Sequence, residues 1–142
     1  MEQTEINMRE YLEYNLHFTK EQIEELYQKN IFLRKILSGD VADEIRFLKK
    51  FGISKEDMVK ITLQNPYFIT ESFDRIKYIQ QFLGMVEITD LREMALKHPY
   101  ALSVNPIKIK RFIEAKREEG INDEEIKNIL QNDFDEYIKM GE

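Results

Sequence analysis

His17 and His98 are the only imidazoles in the chain, and there is no cysteine. A zinc site takes three or four His, Cys or carboxylate ligands, so both histidines and several carboxylates would have to converge. No spacing in the sequence brings them together. His98 stands directly before Pro99, as Asn65 stands before Pro66, which reads as a structural, turn-capping role. The acidic runs Glu118-Glu119 and Asp123-Glu124-Glu125 have the chemistry of a general acid/base pair or a magnesium site. The second run falls in the first turn of a helix, where carboxylates complement the dipole. The sequence holds no glycine-rich phosphate loop, no Walker sequence and no nucleophile elbow. The reading is a non-enzymatic protein, with no cofactor, metal or small-molecule substrate expected.

The basic residues carry more. Lys49 and Lys50, then Arg75 and Lys77, then Lys108, Lys110 and Arg111, then Lys116 and Arg117 recur along the chain. If successive helices present them on one edge, they form a ladder that a phosphate backbone can follow, with Lys108, Arg111 and Arg75 carrying most of it. The opposing reading is a solvated face paired to neighbours such as Glu114 and Glu118 at helical spacing. Tyr67 and Tyr100 follow the two prolines. There they can stack on bases, anchor a protein partner or plug the core. Phe68, Ile69 and Leu102 read as core.

The net charge of -6 opposes nucleic-acid binding by the chain as a whole. It is unevenly spread. Arg75 to Arg117 carries nine Lys/Arg against four Asp/Glu, a net +5, while Glu118 to Glu142 carries two against nine, a net -7. Such asymmetry marks a basic face beside an acidic end. With 34% charged and 42% hydrophobic residues the balance is that of a globular domain. A chain of 142 residues suits one compact domain that folds without a metal or disulfide. No apolar run approaches the roughly 18 residues of a membrane span, and the acidic start Met1-Glu2-Gln3-Thr4-Glu5 does not resemble a secretory or transit signal. The expectation is a cytoplasmic protein, or one already processed, with no membrane partner.

The elements that position these residues repeat. Ile53 to Ile61 followed by Gln64-Asn65-Pro66-Tyr67-Phe68-Ile69 recurs as Ile88 to Met94 followed by Lys97-His98-Pro99-Tyr100-Ala101-Leu102. Gly120 to Leu130 followed by Gln131-Asn132 is a third copy, and Phe18 to Leu26 followed by Lys29-Asn30-Ile31-Phe32-Leu33 a weaker front copy. Pro66 and Pro99 are 33 residues apart, and the front copy lies 35 residues ahead of the next. Each copy opens on an N-cap, Thr19, Ser54, Thr89 or Asn122. Gln22 and Glu125 complete capping boxes, and Asp57 makes a weaker version. The apolar pairs Ile23/Leu26, Met58/Ile61, Leu91/Met94 and Ile126/Ile129 then fall on one helical face.

Pro66 and Pro99 stop this first helix. A second helix follows, with an apolar face of Ile45, Leu48 and Phe51, of Ile76, Ile79 and Leu83, or of Ile109, Phe112 and Ile113. Ser72 and Asn105 cap the later two, with Pro106 in the first turn. Gly52, Gly84 and Gly120 close the second helices, and Gly39 an earlier one. One helix pair cannot hide its apolar face alone, whereas stacked copies share a core. The expectation is an all-α, right- or left-handed solenoid of about three to four helix-hairpin repeats. It forms a single domain with an N-terminal cap at about 1–16, repeats over about 17–131 and a C-terminal cap at about 132–142.

The run Phe47-Leu48-Lys49-Lys50-Phe51-Gly52, then Ile53-Ser54-x-Glu56-Asp57-Met58, then Asn65-Pro66-Tyr67-Phe68-Ile69, resembles the repeats of the mitochondrial transcription termination factor (mTERF) family. It recurs around Phe82-Leu83-Gly84, Ile88 to Met94 and Pro99 to Leu102, and covers roughly residues 44 to 131, with a degenerate extension toward the N-terminus. The resemblance implies a curved solenoid of helix-helix-short-helix units that binds DNA or RNA along a basic groove. Two readings of function follow. One is an mTERF-like module engaging nucleic acid through the basic ladder. The other is an acidic adaptor or inhibitor that binds a basic, nucleic-acid-associated protein. A ladder contacting 6 to 10 phosphates would lose about a thousandfold or more in affinity between low and moderate salt.

Overall fold

A computed structural model describes residues 2–140, which form eight α-helices, two 3-10 helices and no strand. Met1, Gly141 and Glu142, the outer ends of the two expected caps, lie outside the described residues. The order is α1 (Gln3–Tyr14), α2 (Lys20–Lys29), a first 3-10 turn (Ile31–Lys35), α3 (Ser38–Lys49), α4 (Lys55–Gln64) and a second 3-10 turn (Phe68–Thr70). Then come α5 (Phe73–Gly84), α6 (Leu91–Lys97), α7 (Pro106–Glu118) and α8 (Asp123–Tyr137). The chain makes two compact units, Met1–Thr70 and Glu71–Glu142. Four α-helices fall in each, α1 to α4 with both 3-10 turns in the first and α5 to α8 in the second. No helix of the described residues is long and apolar enough to cross a membrane.

Capping explains where the helices begin. Thr19 accepts from the Gln22 N–H at 3.1 Å, and Gln22 accepts in return from the Thr19 N–H at 2.9 Å. Ser54 and Asp57 do the same at 3.1 and 3.0 Å. Asn122 accepts from Glu125 N–H at 2.9 Å, but the return bond is absent, so the third expected box is only half formed. The cap of α6 is Asp90, not Thr89: its carboxylate accepts from Glu93 N–H at 2.9 Å. Asp ranks above Thr as an N-cap, and where the two stand side by side the better acceptor takes the position. Ser72 and Asn105 cap α5 and α7 as expected, with Pro106 in the first turn of α7.

Closure of the second helices shows the repeat most plainly. His17, Gly52, Glu87 and Gly120 all have positive φ, at 63°, 80°, 64° and 84°. They are 35, 35 and 33 residues apart. The residue after three of them folds back, Ile53 N–H to Leu48 O, Ile88 N–H to Leu83 O and Ile121 N–H to Lys116 O, each at 3.1 Å. This is the six-to-one bond of a Schellman closure. A β-carbon at Gly52 or Gly120 would meet nothing within 4 Å, so backbone conformation, and not space, selects glycine there. Gly84 departs from the expectation. It is the last residue of α5, and Glu87, three residues on, takes the left-handed place. Gly39 likewise lies in the first turn of α3 and ends no helix.

A left-handed backbone costs a non-glycine residue about 1–2 kcal/mol. Glu87 is exposed and makes no hydrogen bond through its side chain among the described residues. Glu87→Gly is therefore expected to stabilise the protein by about 0.5–1 kcal/mol, after the extra chain entropy of glycine is offset. A shift of the urea midpoint upward, with the slope unchanged, is the measurement; a shift downward contradicts the strain.

Both units bury the faces the periodicity picks out. Ile23, Leu26, Ile45, Leu48, Met58 and Ile61 are at most 7% exposed in the first, and Ile76, Ile79, Leu83, Leu91, Met94, Ile109, Ile113 and Ile126 at most 2% in the second. Phe68, Ile69 and Leu102 are buried, as read from the sequence. Three positions differ. Phe51 and Phe112 are half-exposed, and Leu130 rather than Ile129 fills the core beneath α8. In α8 the backbone leaves the helical region at Asp133 (φ -123°, ψ 29°), where the earlier copies carry proline, and Phe134 beyond this kink is fully buried.

Within each unit one buried side chain ties the end of a first helix to the next first helix. In the first unit it is Asn30, which donates to Pro66 O at 2.9 Å and to Thr70 Oγ1 at 3.0 Å. In the second it is His98, whose Nε2 lies 2.8 Å from Gln131 O and whose Nδ1 lies 3.3 Å from Asp135. Asn30 and Asn65 also cap their own turns, accepting from Phe32 and Tyr67 N–H at 3.0 and 3.1 Å. His98 is thus structural, but its ring clamps α8 and does not cap its own turn.

Candidate nucleic-acid interface

Cations on second helices are useful to a ligand only if the fold leaves them free. Arg75, in the first turn of α5, is committed: it pairs with Glu71 at 3.1 Å and donates to Ser103 O at 3.2 Å. The Glu71 side chain is 8% exposed. Burial pushes its carboxyl above the usual carboxylate range, against the downward pull of a hydrogen bond from Ser103 and the charge of Arg75. Arg117 grips Asp123 through two bonds, at 3.0 and 2.9 Å, and donates to Met85 O at 3.0 Å. Lys108 donates to Lys139 O. Lys116 lies 5.6 Å from the Phe112 ring centroid, 6.0 Å from that of Tyr137 and 3.5 Å from Glu119.

The three groups of α7 cations leave the helix in different directions, because each residue turns about 100°. Lys110 and Arg117 reach toward α5, touching Phe82 and Met85, while Lys108 reaches toward the chain beyond α8. Arg111 lies between them on the outer face, exposed and without a hydrogen bond or ion pair among the described residues. Lys77 on α5 is also exposed. In the first unit Lys49 and Lys50, at the end of α3, are exposed and unpaired among the described residues. Of the nine ladder candidates, then, four act as internal ties, Lys110 is half-buried beside Phe82, and Lys49, Lys50, Lys77 and Arg111 are exposed.

Two residues that the sequence reading passed over complete the outer surface of α5 and α7. Tyr78 is 55% exposed, and its ring lies 6.2 Å from that of Phe82 with the planes only 27° apart. The Lys110 ammonium is 5.9 Å from the centroid of Phe82. The signal was present in the sequence: Tyr78 and Phe82 are four apart and fall off the Ile76/Ile79/Leu83 stripe, so they form a second apolar row beside the core face. Asp74, one turn before Tyr78, and Glu114, one turn after Lys110, are exposed acids on the same surface. Tyr67 and Tyr100 are half-buried behind their prolines. Among the described residues no group of three or more His, Asp or Glu is placed to hold a metal ion.

Helix pairs repeating every 33 to 35 residues, each second helix closed by a left-handed residue, define a tandem α-helical repeat protein. The family model for mTERF matches residues 4–136, and the chain belongs to that family. The match takes in nearly all of α1 and of α8, so the extension toward the N-terminus belongs to the family pattern as well as the stretch from 44 to 131. Comparisons with curated proteins and with solved structures give no match.

Proposed function

We propose that this protein is a non-catalytic nucleic-acid-binding module whose contact in the second unit is made by the outer surface of α5 and α7. Family membership supports the ligand class, since mTERF proteins bind nucleic acid. The observation that carries the placement is the sorting of the cations: Arg75, Lys108, Lys116 and Arg117 serve the fold, while Arg111 is exposed without an ion pair among the described residues, beside Lys110 and the exposed Lys77. Two or three phosphate contacts give a shallow salt dependence, with a slope of about -0.7 per phosphate on a single strand. Affinity is then expected to fall about tenfold between 50 and 200 mM salt, and not by the factor of a thousand that an unbroken ladder would impose. Labelled DNA and RNA of both strandedness, titrated by fluorescence anisotropy, provide the test. The triple substitution Lys77→Gln, Lys110→Gln and Arg111→Gln should abolish most of the binding and flatten the salt dependence. An absence of binding to every nucleic acid at low salt would sink this reading.

The outer face of α8 favours a second reading. Glu124, Glu125, Asp133 and Glu136 are exposed there, so a basic protein is the alternative partner. Deleting residues 118 to 142 cannot test it, because the deletion removes Ile126, Leu130 and Phe134 from the core. Neutralising Glu124, Glu125 and Glu136 to glutamine keeps that core and removes the charge.

A further inference from the structure

We infer, on the basis of the function proposed above, that the preferred ligand is a single strand, one base of which stacks on Tyr78. The geometry is that of an unfinished stack. Phe82 and Tyr78 lie nearly parallel, at 6.2 Å and 27°, and Tyr78 keeps 55% of its surface in solvent. An aromatic ring left this exposed beside another ring is a platform that a third flat group extends. A base offers that group only when it is unpaired, because a duplex hides both faces of every base within its own stack. A duplex meeting this surface would offer phosphates alone, to a site with few cations to receive them.

The charges fix how the strand lies. Asp74 stands one turn before Tyr78 on α5 and repels phosphate from that side. Lys110, 5.9 Å from the Phe82 centroid, and the unpaired Arg111 attract it from the α7 side. The backbone therefore runs past α7 with the base turned in toward α5. Gln81 is exposed one turn after Tyr78, where its amide can bond a base edge. Glu114 closes the cationic stretch along α7, so the footprint is a few nucleotides. Stacking is tolerant of sequence, because every base has a π face.

The test uses the full chain and three 12-nucleotide probes of equal charge per strand: oligouridylate, a strand of the same length made of abasic residues, and a 12-base-pair duplex. The expected result is tightest binding to oligouridylate, with the abasic strand weaker by about 5- to 150-fold, the span of one base–aromatic stack. Tyr78→Ala should weaken oligouridylate binding by a similar factor and leave the abasic strand and the duplex unchanged, while Tyr78→Phe should retain wild-type affinity. Equal binding of the abasic strand and oligouridylate overturns the inference with no variant involved. So does a Tyr78→Ala protein that binds oligouridylate like the wild type. Tight duplex binding with an indifferent Tyr78 leaves the function proposed above standing and removes the stack; failure to bind any probe removes both.

Discussion

Asn30→Ala is expected to destabilise the first unit by about 3 kcal/mol, as read by urea unfolding. The side chain is fully buried, and both its N–H groups and its oxygen are bonded. Its oxygen accepts from Phe32 N–H at 3.0 Å, and its nitrogen donates to Pro66 O at 2.9 Å and to Thr70 Oγ1 at 3.0 Å. Alanine removes all three bonds and leaves the Phe32 N–H and the Pro66 carbonyl without that partner. A buried polar group so orphaned costs about 1–3 kcal/mol, against the roughly 1 kcal/mol that a satisfied bond contributes net. Asn30→Asp separates the two halves of the amide. The carboxylate keeps the bond from Phe32, but an acceptor then faces the Pro66 carbonyl, and the loss should equal or exceed that of alanine. An aspartate variant as stable as the wild type would show that Asn30 does not donate across to the next copy. The substitution also bears on the repeat itself, because Asn30 is what holds the end of α2 to the turn after α4.

The same position explains how much of the fold the sequence carried. Periodicity located the four first helices and the second helices α3, α5 and α7, since apolar residues three and four apart can be sheltered only on one helical face, while α1 was read only as part of a terminal cap. Pro66 and Pro99 marked the ends of α4 and α6. What the pattern lacked was competition between neighbours. Thr89 and Asp90 are both N-caps by type, and only the carboxylate's stronger acceptance decides for Asp90. Gly84 looked like a closing residue, yet α5 and its turn run on to Glu87, which accepts a left-handed backbone because Ile88 must reach back to Leu83. The equivalence of His98 with Asn65 was visible as a residue preceding proline, but not the reach of its ring to Gln131.

The candidate interface was half legible. The basic residues were found by type and by helix, but a one-dimensional pattern cannot tell Arg75, which closes on Glu71 and Ser103 O, from Arg111, which closes on nothing among the described residues. Long cationic side chains choose partners a whole copy away: Arg117 to Met85 O spans 32 residues and Lys108 to Lys139 O spans 31. Tyr78 and Phe82 were overlooked for the opposite reason. Aromatics in an amphipathic helix default to the core, and only their place beside the buried stripe, four residues apart, sets them outside it.

Phe134→Ala is expected to cost the second unit about 3–5 kcal/mol, the range for emptying a buried phenylalanine site. Against a total of about 5–15 kcal/mol for a domain, that is a large part of the stability. Phe134 has no exposed surface, and its ring lies 5.7 Å from that of His98 at 33°. The kink at Asp133 turns it inward, next to the last core positions of α8, Leu130 and Ile126. His98 depends on the same packing, because its bond to Gln131 O requires α8 to lie against α6. With alanine the cavity already loosens the clamp, so in a cycle the double variant with His98→Ala should lose less than the sum of the two single losses. Phe134→Leu, which keeps most of the volume, should cost about 1–1.5 kcal/mol. Hydrogen exchange should show α8 amides opening before those of α5 and α7 in the alanine variant. If α8 stays protected and the loss is under about 1 kcal/mol, the helix is held by its polar contacts and not by this ring. The result matters for the acidic surface as well. Glu124, Glu125 and Glu136 hold their positions only while Phe134 docks the helix that carries them, so an acidic partner site on α8 would weaken in step with the unfolding of that helix.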